Sequence, residues 1–213
     1  LIGVSAGAAF GCNYKSGQPG RVIRYNTRFC KDKRFCSFRS LLKTGDMFGA
    51  DFCYNIVPKK LDIFDTKTFA ESEMEFYVVC TNVETGKAVY HKCLTADDRE
   101  LTWMRASASM PLASHIVEVD GYKLLDGGIS DSIPLRFIEK MGYERNVVIL
   151  TQPRSYRKGK SRSLPLIKAA MRKYPEFVKA SARRSKMYNK QLDYVKNAED
   201  DGRAFVIAPD EKL

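Results

Sequence analysis

Two short runs carry groups that could act together on an acyl carbonyl. The first is Gly3-Val4-Ser5-Ala6-Gly7, a G-x-S-x-G run between the apolar Leu1–Val4 and the small, helix-tolerant residues that end at Phe10. A serine on a sharp strand-to-helix turn takes a strained backbone and projects its Oγ above the sheet, and neighbours without bulky Cβ groups relieve the crowding. Such a turn also aims the Ala6 N–H, at the positive end of a helix, toward the place where an oxyanion would form. The second run is Asp126-Gly127-Gly128, directly after the apolar Tyr122–Leu125 segment. A carboxylate in a loop at a strand end lies where open α/β sheets place ligands. With an ordinary pKa of about 3.9 it is a weak base. Burial would raise that value, and a short charge-assisted hydrogen bond would orient it on the serine.

Imidazole is scarce. The sequence has two histidines, His91 and His115, and an α/β-hydrolase triad runs serine, acid, histidine in chain order. Neither histidine follows Asp126. Either a histidine beyond Leu213 completes a triad, or Asp126 is itself the base. His91 and His115 have no metal-ligand pattern beside them and read as surface or core residues. No calcium loop or two-metal spacing occurs, so neither a metal nor an organic cofactor is expected.

The elements that must position these groups can be read from pattern. Leu1–Val4 is the exit of a buried strand, and a helix follows Ser5. Gly17-Gln18-Pro19-Gly20 is a turn. Arg39–Phe48 reads as a short helix, and Pro58 ends the segment after it. Met74–Cys80 is an aromatic and β-branched strand, turning at Asn82–Lys87 into Ala88-Val89-Tyr90. Asp97–Ser107 fits a helix. Ile116–Val119 and Tyr122–Leu125 flank Asp120-Gly121, a two-residue hairpin turn. Pro134–Met141 is a helix, and Asn146–Leu150 an apolar strand of the parallel, doubly buried type. A helix opens at Leu164-Pro165 and breaks at Tyr174-Pro175. Phe177, Val178, Tyr188, Leu192 and Val195 then recur at helical core spacing until Gly202, ahead of a last strand at Ala204–Ile207. Alternating strands and helices predict an α/β fold, a three-layer α/β/α stack around a mostly parallel sheet. One domain is expected over residues 1–213, with a basic helical tail segment at 154–200.

Composition sets the remaining bounds. The 213 residues are 44% hydrophobic and 29% charged, with 14 Gly and 8 Pro, which excludes disordered and low-complexity classes. No stretch approaches the ~20 apolar residues of a membrane-spanning helix. The six cysteines form no C-x-x-C pair and read as reduced, mostly buried thiols of an intracellular protein. The net charge is +11, and it is uneven. Nine basic residues and one acid, Asp32, lie in 15–43; thirteen basic residues and one acid, Glu176, lie in 154–190. Such runs favour an anionic partner (phospholipid headgroups of an anionic membrane surface, nucleic acid or a negatively charged substrate), the alternative being a solvated face. No aromatic and basic interleaving of a nucleic-acid module is present, so no nucleic-acid partner is expected.

Together the two motifs resemble those of the patatin-like phospholipases. Gly3-Val4-Ser5-Ala6-Gly7-Ala8 looks like the family's nucleophile elbow and Asp126-Gly127-Gly128 like its D-G-G/A motif, while Ala106-Ser107-Ala108-Ser109-Met110-Pro111 is similar to its A-S-x-x-x-P stretch. The resemblance covers Leu1 to about Leu150. More loosely, Ser16–Arg21 and the Leu164–Tyr194 tail look like a bacterial subgroup. The resemblance implies a Ser5–Asp126 dyad that cleaves lipid acyl esters through an acyl-enzyme, in the cytoplasm or peripherally at a membrane. It also implies a G-G-G-x-[RK] oxyanion loop before the elbow. The sequence starts two residues before Gly3, so that loop and the first strand are expected upstream, and the 213 residues alone are expected to be nearly inactive. Two rivals remain: an α/β-hydrolase esterase whose histidine lies outside the sequence, and an inactive basic module that binds membrane or nucleic acid.

Overall fold

The computed structural model describes residues 1–211. Its central element is strand β2, Phe76–Asn82, whose residues are almost all buried. β2 is joined by the Asn82–Lys87 turn to β3, Ala88–Cys93, antiparallel along one edge from Phe76↔Cys93 to Thr81↔Ala88. The other edge of β2 is shared by two strands placed end to end. β1, Ile2–Val4, runs parallel to its first half and ends at the pair Val4↔Val79. β5, Tyr122–Asp126, runs antiparallel to its second half and ends at Asp126↔Cys80. Opposite directions make both C-terminal ends converge on neighbouring positions of β2, 79 and 80. β4, Val117–Val119, completes the sheet as the antiparallel partner of β5.

The α/β class holds, but the mostly parallel sheet does not. One pair of the five-stranded sheet, β1–β2, is parallel and the other three are antiparallel. The physical reason lies in the connections. A tight hairpin joins only antiparallel strands, whereas a parallel pair needs a crossover of about a dozen residues or more. The Asp120-Gly121 turn, with φ of 50° and 78° at its two residues, is a hairpin of the kind that requires left-handed backbone at both positions.

The remaining strands form a separate parallel pair, β6 (Asn146–Ile149) and β7 (Ala204–Ile207). β6 is not buried on both faces as its composition predicts. Val148 packs into a core cluster, while Val147 and Ile149 face outward, beside Phe205 and Ile207 of β7.

Helix α1, Ala6–Lys15, and helix α5, Asp98–Ser107, pack with the sheet around Trp103, Phe69, Phe76 and Leu124. Asp97 caps α5 by accepting the Glu100 N–H. The next residue of β5, Leu125, belongs to a different cluster with Phe177 and Ile167, as the two-residue side-chain period requires. Those two residues come from α8, Pro175–Asp200, and α7, Leu164–Ala170. In α8, Phe177, Tyr188, Leu192 and Val195 are buried as their spacing predicts. Short helices α4 (Thr66–Glu71) and α6 (Leu135–Lys140) fill the connections.

The long segment between α1 and β2 carries α2, Arg21–Phe29, and α3, Phe38–Thr44, the latter starting one residue earlier and ending four residues sooner than the sequence pattern predicts. A π-helical stretch, Phe52–Leu61, follows, and Pro58 lies inside it rather than ending it. Pro58 removes one N–H from that ladder. Tyr25, Phe29, Phe52 and Val57 hold this segment together as its own small cluster.

Candidate active site

The register of β2 brings the two motifs together. Ser5 follows Val4, and Asp126 closes β5, so the serine and the carboxylate emerge side by side from one edge of β2. The Ser5 hydroxyl donates to Asp126 Oδ2 at 2.6 Å. Ser5 has φ 55° and ψ −117°, a strained conformation for a residue with a side chain, costing about 1–3 kcal/mol. Its neighbours hold it there. The Ser5 N–H donates to Ser107 Oγ at 3.1 Å, and that hydroxyl donates to the Val79 carbonyl at 2.6 Å. The Ser5 carbonyl accepts the N–H groups of Ala8 and Ala9 and so starts α1. Ala6 is the first residue of that helix, and neither its N–H nor that of Gly7 has an acceptor among the described residues. These are orphan donors at the positive end of a helix beside Ser5 Oγ, suited to a developing oxyanion.

The two elbow glycines have different reasons. A Cβ on Gly3 would lie 2.3 Å from the Gly7 carbonyl oxygen, so the turn closes only around glycine. A Cβ on Gly7 would meet nothing within 4 Å. Of the two glycines, the crowding lies at Gly3.

Asp126 is buried, and burial pushes its pKa above the ordinary carboxylate value. Hydrogen bonds from Ser5 and Gly128, and the positive charges of Arg184 and Lys158, act in the opposite direction without cancelling it. Oδ1 accepts the Gly128 N–H at 2.7 Å, which leaves Oδ2 for the serine. The Asp126 N–H donates to the Ser109 carbonyl at 2.8 Å, and the Asp126 carbonyl accepts from Thr81 Oγ1. A Cβ on Gly127 would lie 2.0 Å from the Val79 carbonyl oxygen, so glycine lets this turn press onto β2. Gly128 is bound on its other side. Its carbonyl accepts from Arg184 Nε at 2.8 Å and from Ser132 Oγ at 2.7 Å.

The histidines lie elsewhere. His91 Nε2 bonds Glu100 at 2.6 Å and the ring stacks on Trp103, while His115 Nε2 bonds the Thr44 carbonyl at 2.7 Å. His91, Cys93 and Glu100 bring three donor atoms within 4.8 Å of one another, a grouping that could take a metal ion. Glu100 already accepts from Arg99 and pairs with His91. All six cysteines are free thiols; Cys12, Cys80 and Cys93 are buried, and Cys30 is exposed.

Ser5 and Ala6 also line a cavity of about 350 Å³ whose walls are mostly apolar, among them Phe10, Phe48, Val57 and Met104. Residues of α2 and of the π-helical stretch, among them Tyr25 and Tyr54, form part of its wall. A serine hydroxyl beside an apolar cavity is an arrangement that could accommodate an acyl chain.

A family model for patatin-like phospholipases matches residues 1–137, more than half of the chain. The chain belongs to the patatin-like phospholipase family. A second model, described as a domain of unknown function (DUF6363), matches residues 174–213. The chain is also similar to the uncharacterized protein YjjU of Escherichia coli (strain K12), with 28% identity over 159 residues. That match covers 71% of this chain and 43% of the relative, so the chain spans less than half of YjjU's length. Among the described residues, no helix of this patatin-like chain is long and apolar enough to cross a membrane.

Three site residues escape motif reading. Ser107 lies in the Ala106–Pro111 stretch, but its grip on the Ser5 N–H depends on the tertiary approach of α5 to the elbow. Arg184 and Lys158 sit in the basic run 154–190, where the sequence shows only charge. One bonds the Asp126 turn, and both bias its carboxylate toward the ionised form.

Proposed function

We propose that the protein is a serine acyl hydrolase that cleaves lipid acyl esters through Ser5 and Asp126. The observation that carries this reading is the direct 2.6 Å contact between Ser5 Oγ and Asp126 Oδ2 at the mouth of an apolar cavity. Asp126 accepts the Ser5 proton as Oγ bonds to the acyl carbon, and the carbonyl oxygen takes up negative charge beside the Ala6 N–H. Collapse breaks the ester bond, and the departing alkoxide takes the proton from Asp126. Water then attacks the acyl-enzyme and gives its proton to Asp126; the acyl–Oγ bond breaks, Asp126 returns that proton to Ser5 Oγ, and a free fatty acid leaves. The raised pKa of Asp126 narrows the proton-affinity gap between carboxylate and hydroxyl.

Family membership and the cavity support a lipid ester over a peptide or a sugar. The fixed position of Asp126 Oδ2 against Ser5 favours the dyad over a triad with histidine. Contact between α8 and the Asp126 turn through Arg184 supports a tail that works as part of the same catalytic unit.

The same reading extends to a membrane surface. α3 exposes Phe38 and Leu42, the latter 88% exposed, one helical turn apart and beside Arg39 and Lys43. Apolar side chains flanked by cations suit the interface of an anionic bilayer, where each cation contributes about 1 kcal/mol. Some members of the basic runs are engaged elsewhere: Lys15 and Arg21 are buried, and Arg154 and Arg157 pair with Glu199 and Asp193. The exposed apolar pair of α3 makes it the centre of the proposed docking, with the remaining cations of 15–43 and 154–190 adding attraction.

Fatty-acid release from a panel of acyl esters tests the reading. Turnover by wild type that disappears in Ser5→Ala supports it; equal turnover by the two proteins rules it out. Vesicle binding tests the docking, which must weaken with rising salt and with Leu42→Ser.

A further inference from the structure

The cavity at Ser5 is lined by three charged side chains, Arg21, Asp46 and Arg105. Two are partnered. Arg21 donates to the Asp62 carbonyl and to Asn13, with the Asp62 carboxylate 3.4 Å away. Asp46 accepts the His115 N–H at 2.9 Å. Arg105 differs. Its guanidinium has no hydrogen bond or ion pair among the described residues, and its Nε is buried without an acceptor. A buried donor on a cation without a partner is costly, and a bound anion would remove that cost.

Arg105 stands in a wall between two cavities. Together with Asp46, Ala50, Tyr54 and Leu101 it also lines a second, more open one of about 960 Å³. That second cavity is cationic: Lys33, Arg34, Arg39, Lys43, Lys59 and Arg105 face it against Asp46, Asp51 and Asp98. Lys59 pairs with Asp98 and Arg34 with Asp32. Lys33, Arg39 and Lys43 form no ion pair among the described residues. The chemistry therefore changes from an apolar space at the nucleophile to a surplus of positive charge across one arginine.

We propose that Arg105, backed by Lys33, Arg39 and Lys43, is a subsite for the phosphate of a phosphomonoester lipid whose ester carbonyl lies at Ser5. A guanidinium offers a planar fork that fits two phosphate oxygens. The unpartnered cations behind it match the charge of a monoester dianion better than that of a zwitterionic headgroup. The inference rests on the acyl-hydrolase reading for the identity of the substrate, but the subsite is read by binding alone.

The test uses the Ser5→Ala protein, which cannot turn over, and dihexanoyl lipids kept monomeric so that bilayer docking does not contribute. Calorimetric titration should show dihexanoyl phosphatidic acid binding roughly tenfold or more tighter than dihexanoylglycerol, with dihexanoyl phosphatidylcholine between them. Adding Arg105→Gln should abolish that preference, and Arg105→Lys should retain part of it. Inorganic phosphate should compete weakly. Equal affinity for the charged and uncharged lipids overturns the subsite, as does a preference that survives Arg105→Gln. Inorganic phosphate binding as tightly as phosphatidic acid overturns the assignment to a lipid substrate. Failure of turnover in the wild type would strike the hydrolase reading and leave these affinities to stand or fall separately.

Discussion

The Ser107 hydroxyl accepts the backbone N–H of Ser5 at 3.1 Å and donates to the Val79 carbonyl at 2.6 Å. One fully buried side chain thus ties the strained elbow to the strand that also aligns Asp126. Ser107→Ala leaves two backbone groups without this partner. The expected loss is about 1–3 kcal/mol of stability, read from the urea midpoint, with kcat falling more than KM rises. A variant with wild-type stability and kcat would show that the elbow holds itself.

The two elbow glycines should behave differently. Gly3→Ala drives a Cβ against the Gly7 carbonyl and should prevent folding or cost more than about 3 kcal/mol. Gly7→Ala meets open space inside the first turn of α1 and should be neutral or stabilising by up to about 1 kcal/mol. Thermal unfolding of both proteins distinguishes the cases; similar destabilisation of both would contradict the geometry.

In the proposed mechanism Asp126 has to be ionised to take the serine proton. Because burial raises its pKa, the acidic limb of kcat/KM should lie above the ordinary carboxylate value of about 3.9. Arg184 acts against that rise, so Arg184→Gln should move the limb to still higher pH. An unmoved limb, or one displaced downward, would mean that Arg184 does not set the charge of Asp126.

The same shift has a stability consequence of definite sign. A carboxylate with a raised folded-state pKa contributes stability below its unfolded pKa and loses it as pH rises through the folded value. Asp126→Asn has no such group to titrate. The melting temperature of Asp126→Asn minus that of wild type should therefore increase from about pH 4 toward neutrality. A difference that stays flat or shrinks would indicate that Asp126 is not held above its ordinary pKa.

Ser5 and Asp126 were legible because each sits in a local motif whose backbone demands are local: glycine at Gly3 for the elbow, and glycine at Gly127 for the turn against β2. Their pairing was legible as an acid at a strand end offered to a serine that lacked a histidine, and the family resemblance strengthened it. Its physical basis is that β1 and β5 share one edge of β2, and no sequence period encodes which edge a strand takes. The mostly parallel sheet was misread for a related reason. Leu124 and Leu125 are buried on opposite faces, and such a run looks the same whether its neighbour is parallel or antiparallel. β6 misled in the other direction, since Val147 and Ile149 are apolar yet exposed. Arg105 and Arg184 could not be separated from the general basic charge, because what distinguishes them is the acceptor each lacks or finds in three dimensions.

The central claim is that Ser5 is made nucleophilic by Asp126 directly. Its most direct measurement is the rate of covalent modification by a fluorophosphonate, followed by intact mass in the full-length protein as wild type, Ser5→Ala and Asp126→Asn. The account predicts one adduct on wild type, none on Ser5→Ala, and labelling slowed at least roughly a hundredfold in Asp126→Asn. Wild-type labelling speed in Asp126→Asn, or an adduct that persists in Ser5→Ala, would contradict it.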